Sequence, residues 1–306
     1  VDVGEIVLNL FAPLLEFIAP LMPGEVFSVF FFEMEVGQRA FLASVLVTFV
    51  SGFLGIFLLM RNLALIGDGL AHVSFGGIAI GLVLGSTAPL WYALAFSIVS
   101  AIIIYEMQAR QILTGDASIA IFLTGMLALG LVVLQIWGGG IQNDIEGYLF
   151  GTLNLVNPES FNLICIISIV SIIFLIMTHK ILLITSVDQL AAQVQGIPVR
   201  AVGLAFSVIT AITVVSMVQV MGALLVTALL VTPAATSQLV STSFRSSFIW
   251  AQVFGFTSLF PGLYLGAELE TGSGIMIALV TAIVFASVGL SQFVLKQVIQ
   301  GTDNIN

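Results

Sequence analysis

Apolar residues run along this chain in blocks of about twenty, with short polar junctions between them. A helix needs about 20 mostly apolar residues to cross the hydrocarbon core of a bilayer. Blocks of that kind fall at 40–60, 64–86, 88–106, 117–137, 161–179, 201–220, 222–242, 247–267 and 273–295. Some junctions are tight, such as Arg61-Asn62 and Met221-Gly222, so the pattern predicts eight or nine spans. Residues 5–20 read differently. Glu5, Asn9 and Glu16 share one helical face, Leu8, Leu15 and Ile18 another, and Pro20 and Pro23 end the run. This predicts a helix lying in the membrane interface, not a span. The chain divides into an N-terminal segment, 1–32, a membrane domain, 33–299, and a short tail, 300–306. Val1 to Glu5 carry no basic n-region, so no signal peptide is expected there.

Composition identifies the solvent. Of 306 residues, 59% are hydrophobic and 8% charged, and the mean hydropathy is +1.21. A soluble domain carries about 25% charged residues. A soluble enzyme, a disordered chain and a nucleic-acid binder are therefore excluded, and a net charge of −9 would in any case repel a phosphate backbone. The single cysteine, Cys165, lies in an apolar run and can form neither an internal disulfide nor a cysteine metal cluster. The fold class is an all-α polytopic membrane protein.

Charge then suggests an orientation. Alternate threading puts Arg61, Arg110, Lys180, Arg200, Arg245 and Lys296 on one side and only Arg39 on the other. Lys and Arg accumulate on the cytoplasmic side, so the N-terminal segment is expected outside and the C-terminus inside. The acidic residues Asp2, Glu5, Glu16, Glu25, Glu33, Glu35, Asp144, Glu146, Glu159, Glu268 and Glu270 sort to the outside. They either concentrate cations at an outer mouth or simply solvate loops.

Two ionisable residues lie well inside a span, Asp68 and His72. A spacing of four puts both on one helix face. Each charge at the bilayer centre costs about 2.5–3.5 kcal/mol, and such residues default to functional use. Carboxylate and imidazole together suit Mn²⁺, Zn²⁺ or Fe²⁺; the alternative is a self-satisfied Asp–His hydrogen bond that locks packing. Gly76 extends the same face, while Gly77, Gly81 and Gly85 form a small-residue stripe suited to close helix packing. In the inside loop 181–199, Ser186 or Asp188 can cap a short helix at 187–198. Ala191 and Ala192 favour that helix, and Gly196 and Pro198 end it. It offers a cytoplasmic partner a docking surface, or it is an ordinary interfacial turn. Asp116 reads as an N-cap and helix-dipole partner. Pro233 falls inside a span and should kink or break it, with Thr227, Thr232 and Thr236 available to re-satisfy the backbone or serve as weak oxygen ligands. The chain holds no H-E-x-x-H, G-x-S-x-G or Walker A pattern, so neither ATP splitting in the P-loop manner nor intramembrane hydrolysis is expected.

Five stretches in this order resemble the metal-ion ABC permeases, the ABC-3 family for zinc, manganese and iron. Residues 60–72, M-R-N-L-A-L-I-G-D-G-L-A-H, resemble the family's R-x-x-x-L-x-G-D-A-x-S-H signature. Residues 116–130 are similar to its D-x-x-x-G-x-x-x-x-x-x-A-L-G segment, 149–151 to its L-F-G stretch, 183–196 to its coupling-helix region, and 222–236 match most closely. The resemblance covers roughly 33–296. It implies an ABC importer permease-like bundle in a prokaryotic plasma membrane, acting as a homodimer with two cytoplasmic ATP-binding cassette subunits. An extracellular metal-binding protein would deliver the ion, lipid would surround the bundle, and no cofactor would be held permanently, the divalent ion being cargo. Asp68 and His72 fall on the family's metal-pathway positions. The 187–198 helix, with Asp188, Ala191, Ala192 and Gly196, falls on its ATPase-docking element. Two departures stand out. Ala71 replaces a Ser, and Phe75-Gly76 replace Leu-Pro, which should loosen the helix after His72. The low basic content of the inner face points to mostly apolar ATPase docking. Rival readings are a permease for a metal chelate such as a siderophore or cobalamin, a passive cation channel or ion-coupled carrier, and a structural subunit.

Overall fold

A computed structural model describes residues 2–86, 88–138, 156–223 and 226–303. The L-F-G stretch at 149–151 and the acids Asp144 and Glu146 lie outside the described residues. The chain folds into helices α1 (Val3–Ile18), α2 (Glu35–Met60), α3 (Ile66–Val83), α4 (Leu90–Ala109), α5 (Gly115–Trp137), α6 (Pro158–Val187), α7 (Gln189–Val194), α8 (Val199–Met221), α9 (Val226–Leu230), α10 (Thr232–Val240), α11 (Phe244–Glu268) and α12 (Ser273–Asp303). Short helical turns at Glu25–Ser28 and Val29–Glu33 lead into α2.

Helices α2, α3 and α8 are the most enclosed, and α5 and α12 lie at the periphery. The exposed sides of those outer helices carry Ile121, Val132 and Ile136 on α5 and Leu279, Ile283 and Leu290 on α12. Water would punish such a surface, whereas lipid solvates it, and a helix satisfies its interior backbone polar groups internally.

Three expectations change. The span expected at 161–179 runs on to Val187, so most of the expected loop 181–199 is helix. Exposed Lys180 does not end α6, because its stem can lie along the helix while its ammonium reaches water. The block 222–242 is not one helix. Gly222, at φ +81°, ends α8, and the chain resumes as the short pair α9 and α10, interrupted at Val231. Pro233 sits in the first turn of α10 and not in a helix interior. It supplies no N–H to Leu229, which is the physical reason for the interruption. Thr236 Oγ1 donates to the Thr232 carbonyl at 2.7 Å. The break leaves eight of the nine expected blocks as long helices; by length and apolar content alone, residues 3–21 could also cross a membrane.

Helix α3 starts at depth. The Leu70 carbonyl lies 3.5 Å from Ser97 Oγ in the middle of α4, and Ser97 is about 18 Å along the helix axis from Ala109. The glycines let α3 seat tightly. A Cβ on Gly76 would come 2.8 Å from the Met126 carbonyl of α5, and one on Gly77 would come 2.8 Å from the Tyr92 carbonyl of α4. Gly81 meets Tyr92 and Pro89 at 3.0–3.1 Å. Gly85 differs from the expectation. It packs against nothing within 4 Å and turns the chain at φ +70°, just past the end of α3. Nor does Gly76 loosen the helix: α3 continues unbroken to Val83 with Phe75 buried against Leu134.

Candidate metal centre

Asp68 occupies the first turn of α3, and His72 follows one turn deeper. Asp68 is half-buried, and its Oδ1 accepts from Thr227 Oγ1 at 2.9 Å. Thr227 belongs to α9, so the carboxylate bridges the glycine-rich helix and the interrupted one. His72 is 6% exposed, and its buried Nδ1 has no hydrogen-bond partner. The Asp68–His72 hydrogen bond weighed from sequence is not formed: the carboxylate takes a threonine hydroxyl instead. Buried polar groups are normally paired, so an orphan imidazole nitrogen beside a carboxylate is what a site awaiting a cation would present. Among the described residues no three His, Cys, Asp or Glu side chains gather around one point. One chain therefore offers two strong ligands here, with Thr227 beside them.

Arg61, seven residues ahead of Asp68 and counted from sequence only as an inside charge, makes contacts that local pattern does not show. Its Nε donates to Ser186 Oγ at 2.9 Å and its Nη2 to Thr185 Oγ1 at 2.8 Å. The guanidinium also lies 4.5 Å over the Phe206 ring. Burial pulls its pKa down to about 10, with nearby Tyr105 acting the other way, so it remains charged at neutral pH. It ties the segment before α3 to the last turn of α6, immediately ahead of α7.

Helix α7 is shorter than the expected 187–198. Asp188 is its N-cap, Oδ1 accepting from the N–H groups of Leu190 and Ala191 at 2.9 Å each. Ser186 instead donates to the Leu182 carbonyl. Ala192 is fully buried under the helix, Ala191 is half-buried, and Gly196 turns the chain at φ +79°. Its exposed side carries Leu190 and Val194, at 74% and 89% exposure, and Val187, the last residue of α6, is 73% exposed just ahead of it. Only the apolar spacing of these three residues could have flagged them.

Other acids take structural places. Asp116 lies in the first turn of α5, not at its N-cap, which is Thr114. Glu268 is no free vestibule charge, since its Oε1 accepts from the Phe27 N–H at 2.9 Å. Glu35 pairs with Arg39 one turn on.

The bundle is that of a polytopic helical permease, with a polar pair at the contact between a close-packed helix and a broken one. The model of the ABC 3 transport family matches residues 33–291, and the chain belongs to that family. It is 29% identical over 248 residues to the manganese transport system membrane protein MntC of Listeria monocytogenes, covering 81% of this chain and 88% of that one. It is 28% identical over 251 residues to the high-affinity zinc uptake system membrane protein ZnuB of Haemophilus influenzae, covering 82% and 95%. Among solved structures, PsaBC from Streptococcus pneumoniae in complex with Fab superposes with a TM-score of 0.73 at 29% identity, covering 83% of this chain and 91% of that one. The chain is thus an integral membrane transport subunit and not an enzyme; in this family ATP is hydrolysed by a separate subunit.

Proposed function

We propose that this chain is the permease of an ATP-driven importer of divalent first-row transition metal ions, and that Asp68 and His72 handle the ion in transit. The observation that carries the reading is the buried, unpartnered Nδ1 of His72, one turn from the Asp68 carboxylate. Carboxylate oxygen and neutral imidazole form an N/O set suited to Mn²⁺, Zn²⁺ or Fe²⁺. Relatives named for manganese and for zinc transport support the cargo class without choosing within it.

Two strong ligands leave a metal's coordination sphere incomplete, so a second copy supplies the same pair across a homodimer axis. The ion arrives from an extracellular binding protein and leaves on the side where basic residues accumulate, the cytoplasm of a prokaryotic cell, with the C-terminus inside. ATP-binding cassette subunits dock on the end of α6 and on α7 through Val187, Leu190 and Val194. Their movement passes along the end of α6 to Arg61, and from Arg61 to α3. Alternating access follows from tilting α3 against α9, the contact that Asp68 and Thr227 hold together. The interrupted helix is the natural place for that motion, because its backbone is already broken at Val231.

The test is uptake of radioactive Mn²⁺ and Zn²⁺ into vesicles that hold the permease with its ATPase. Asp68→Ala and His72→Ala should abolish ATP-dependent uptake at equal expression. Full uptake by both variants would remove the site. Uptake that persists without nucleotide would favour a passive channel or carrier, and uptake of a chelate but no free ion would favour a chelate permease.

A further inference from the structure

We propose that α1 lies flat in the membrane–water interface at the outer end of the bundle, seated in the headgroup–acyl boundary of the outer leaflet, and does not cross the bilayer. Which end is outer rests on the orientation given under Proposed function; the flat placement does not.

Both ends of α1 meet the same end of the bundle. At its start, the Gly4 N–H donates to Asn162 Oδ1, near the beginning of α6, at 3.0 Å. Backbone meets backbone there, since a Cβ on Gly4 would stand 2.8 Å from Asn162 Cα. Just past its C-terminus, the Ala19 carbonyl accepts from Ser28 Oγ at 2.7 Å. The same stretch is anchored through the Phe27 N–H to Glu268, the last residue of α11. Helix α6 begins, and α11 ends, at the end of the bundle where α2 begins. Sixteen helical residues extend about 24 Å. A crossing helix would have carried its C-terminus toward the opposite end, near Met60 and Val187.

The side chains divide α1 into three stripes. Gly4, Leu8 and Leu15 are buried against the bundle. Glu5, Asn9 and Glu16 form an exposed polar stripe that runs the length of the helix. Ile6, Leu10, Leu14 and Phe17 form an exposed apolar stripe, 52–79% exposed. At 100° per residue the polar and apolar stripes point in different directions. A helix at acyl depth has no water for a polar stripe that continues from its first turn to its last. A helix at the boundary satisfies all three at once: bundle, water and lipid.

The lipid is identified by continuity. Asn162, on which α1 rests, is followed on the same face of α6 by Ile166, Ile169, Val170 and Ile173, all exposed. That stripe belongs to the bundle's lipid-facing surface, and α1 sits across its outer end.

The test uses the full chain, assembled with its ATPase in vesicles, with single substitutions Glu5→Cys, Asn9→Cys, Glu16→Cys, Leu10→Cys and Phe17→Cys. Wild type is the blank, because its one cysteine, Cys165, is buried. A membrane-impermeant maleimide added outside should label positions 5, 9 and 16 alike. Nitroxides at 10 and 17 should collide with dissolved oxygen in preference to a water-soluble nickel chelate. Labelling of 5 and 16 from opposite sides would overturn the proposal by showing a crossing. So would failure of all three to label from either side, or nitroxides at 10 and 17 open to the nickel chelate. Labelling of all three from the inside alone would overturn the outer assignment and the orientation beneath it, and would spare the flat placement.

Discussion

Helices α1 and α3 are close in length, 16 and 18 residues, and each sets ionisable side chains among apolar ones. They use them in opposite ways. On α1, Glu5, Asn9 and Glu16 point away from the bundle and need nothing from it. On α3, Asp68 and His72 point into the bundle, where one finds a threonine hydroxyl and the other exposes a bare nitrogen to its neighbours. In a membrane protein, then, the direction of a polar residue tells more than its presence. A polar stripe facing outward reports where water is. A polar pair facing inward without full satisfaction is where the proposed ligand site lies.

The largest expected effect comes from erasing the inward pair. His72→Ala or Asp68→Ala should lower ATP-dependent metal uptake by at least about a hundredfold, beyond the roughly 10–100-fold that loss of an outer-sphere partner costs. Glu16→Ala on α1 should leave uptake unchanged, which an isotope uptake assay on matched expression levels checks. In wild type the same assay should decline as external pH falls, because a metal binds only neutral imidazole and protons compete for it.

Filling the close approach of α3 comes next. Gly76→Val puts side-chain atoms where the Met126 carbonyl now lies. It should destabilise the bundle by about 1–3 kcal/mol as overpacking, read as a lower midpoint of thermal unfolding in detergent. Gly85→Ala meets no neighbour and should cost less, through its positive φ alone.

Coupling can be cut without touching the ligands. Arg61→Ala removes two hydrogen bonds and the Phe206 contact. It should leave ATPase subunits bound while metal-dependent stimulation of their hydrolysis is lost, with Arg61→Lys restoring only part. Leu190→Asp with Val194→Asp should instead release the ATPase, seen as loss of co-purification. Thr227→Val leaves Asp68 and His72 in place and removes one hydrogen bond to the carboxylate, worth about 1.5–3 kcal/mol. It should shift the concentration dependence of uptake more than the maximal rate.

Much of this architecture is legible in the chain because lipid is an undemanding solvent. Blocks such as 40–60 and 273–295 could hardly be anything but helix, and the i, i+4 spacing alone puts Asp68 and His72 on one face. The failures have physical causes. Lys180 looked like the end of a span, yet its long side chain can reach water from the flank of α6. Residues 222–242 carry no charged side chain, so nothing but Gly222 and Pro233 marks the break into α9 and α10. Glu268 was counted as a surface charge because its partner, the Phe27 N–H, lies 241 residues away. Arg61 meets Ser186, and Thr227 meets Asp68, only through tertiary packing, so these pairings do not show in local pattern. The exposed residues proposed for ATPase docking, Val187, Leu190 and Val194, read as ordinary apolar sequence in a chain that is 59% hydrophobic.

The claim at the centre, that the imidazole of His72 meets the passing ion, can be measured directly by pulsed electron paramagnetic resonance of Mn²⁺ bound to the purified permease. The account predicts a nitrogen-14 modulation from one imidazole per protomer, present in wild type and absent in His72→Ala. A modulation that survives the substitution, or a wild-type spectrum without any nitrogen coupling, would contradict it.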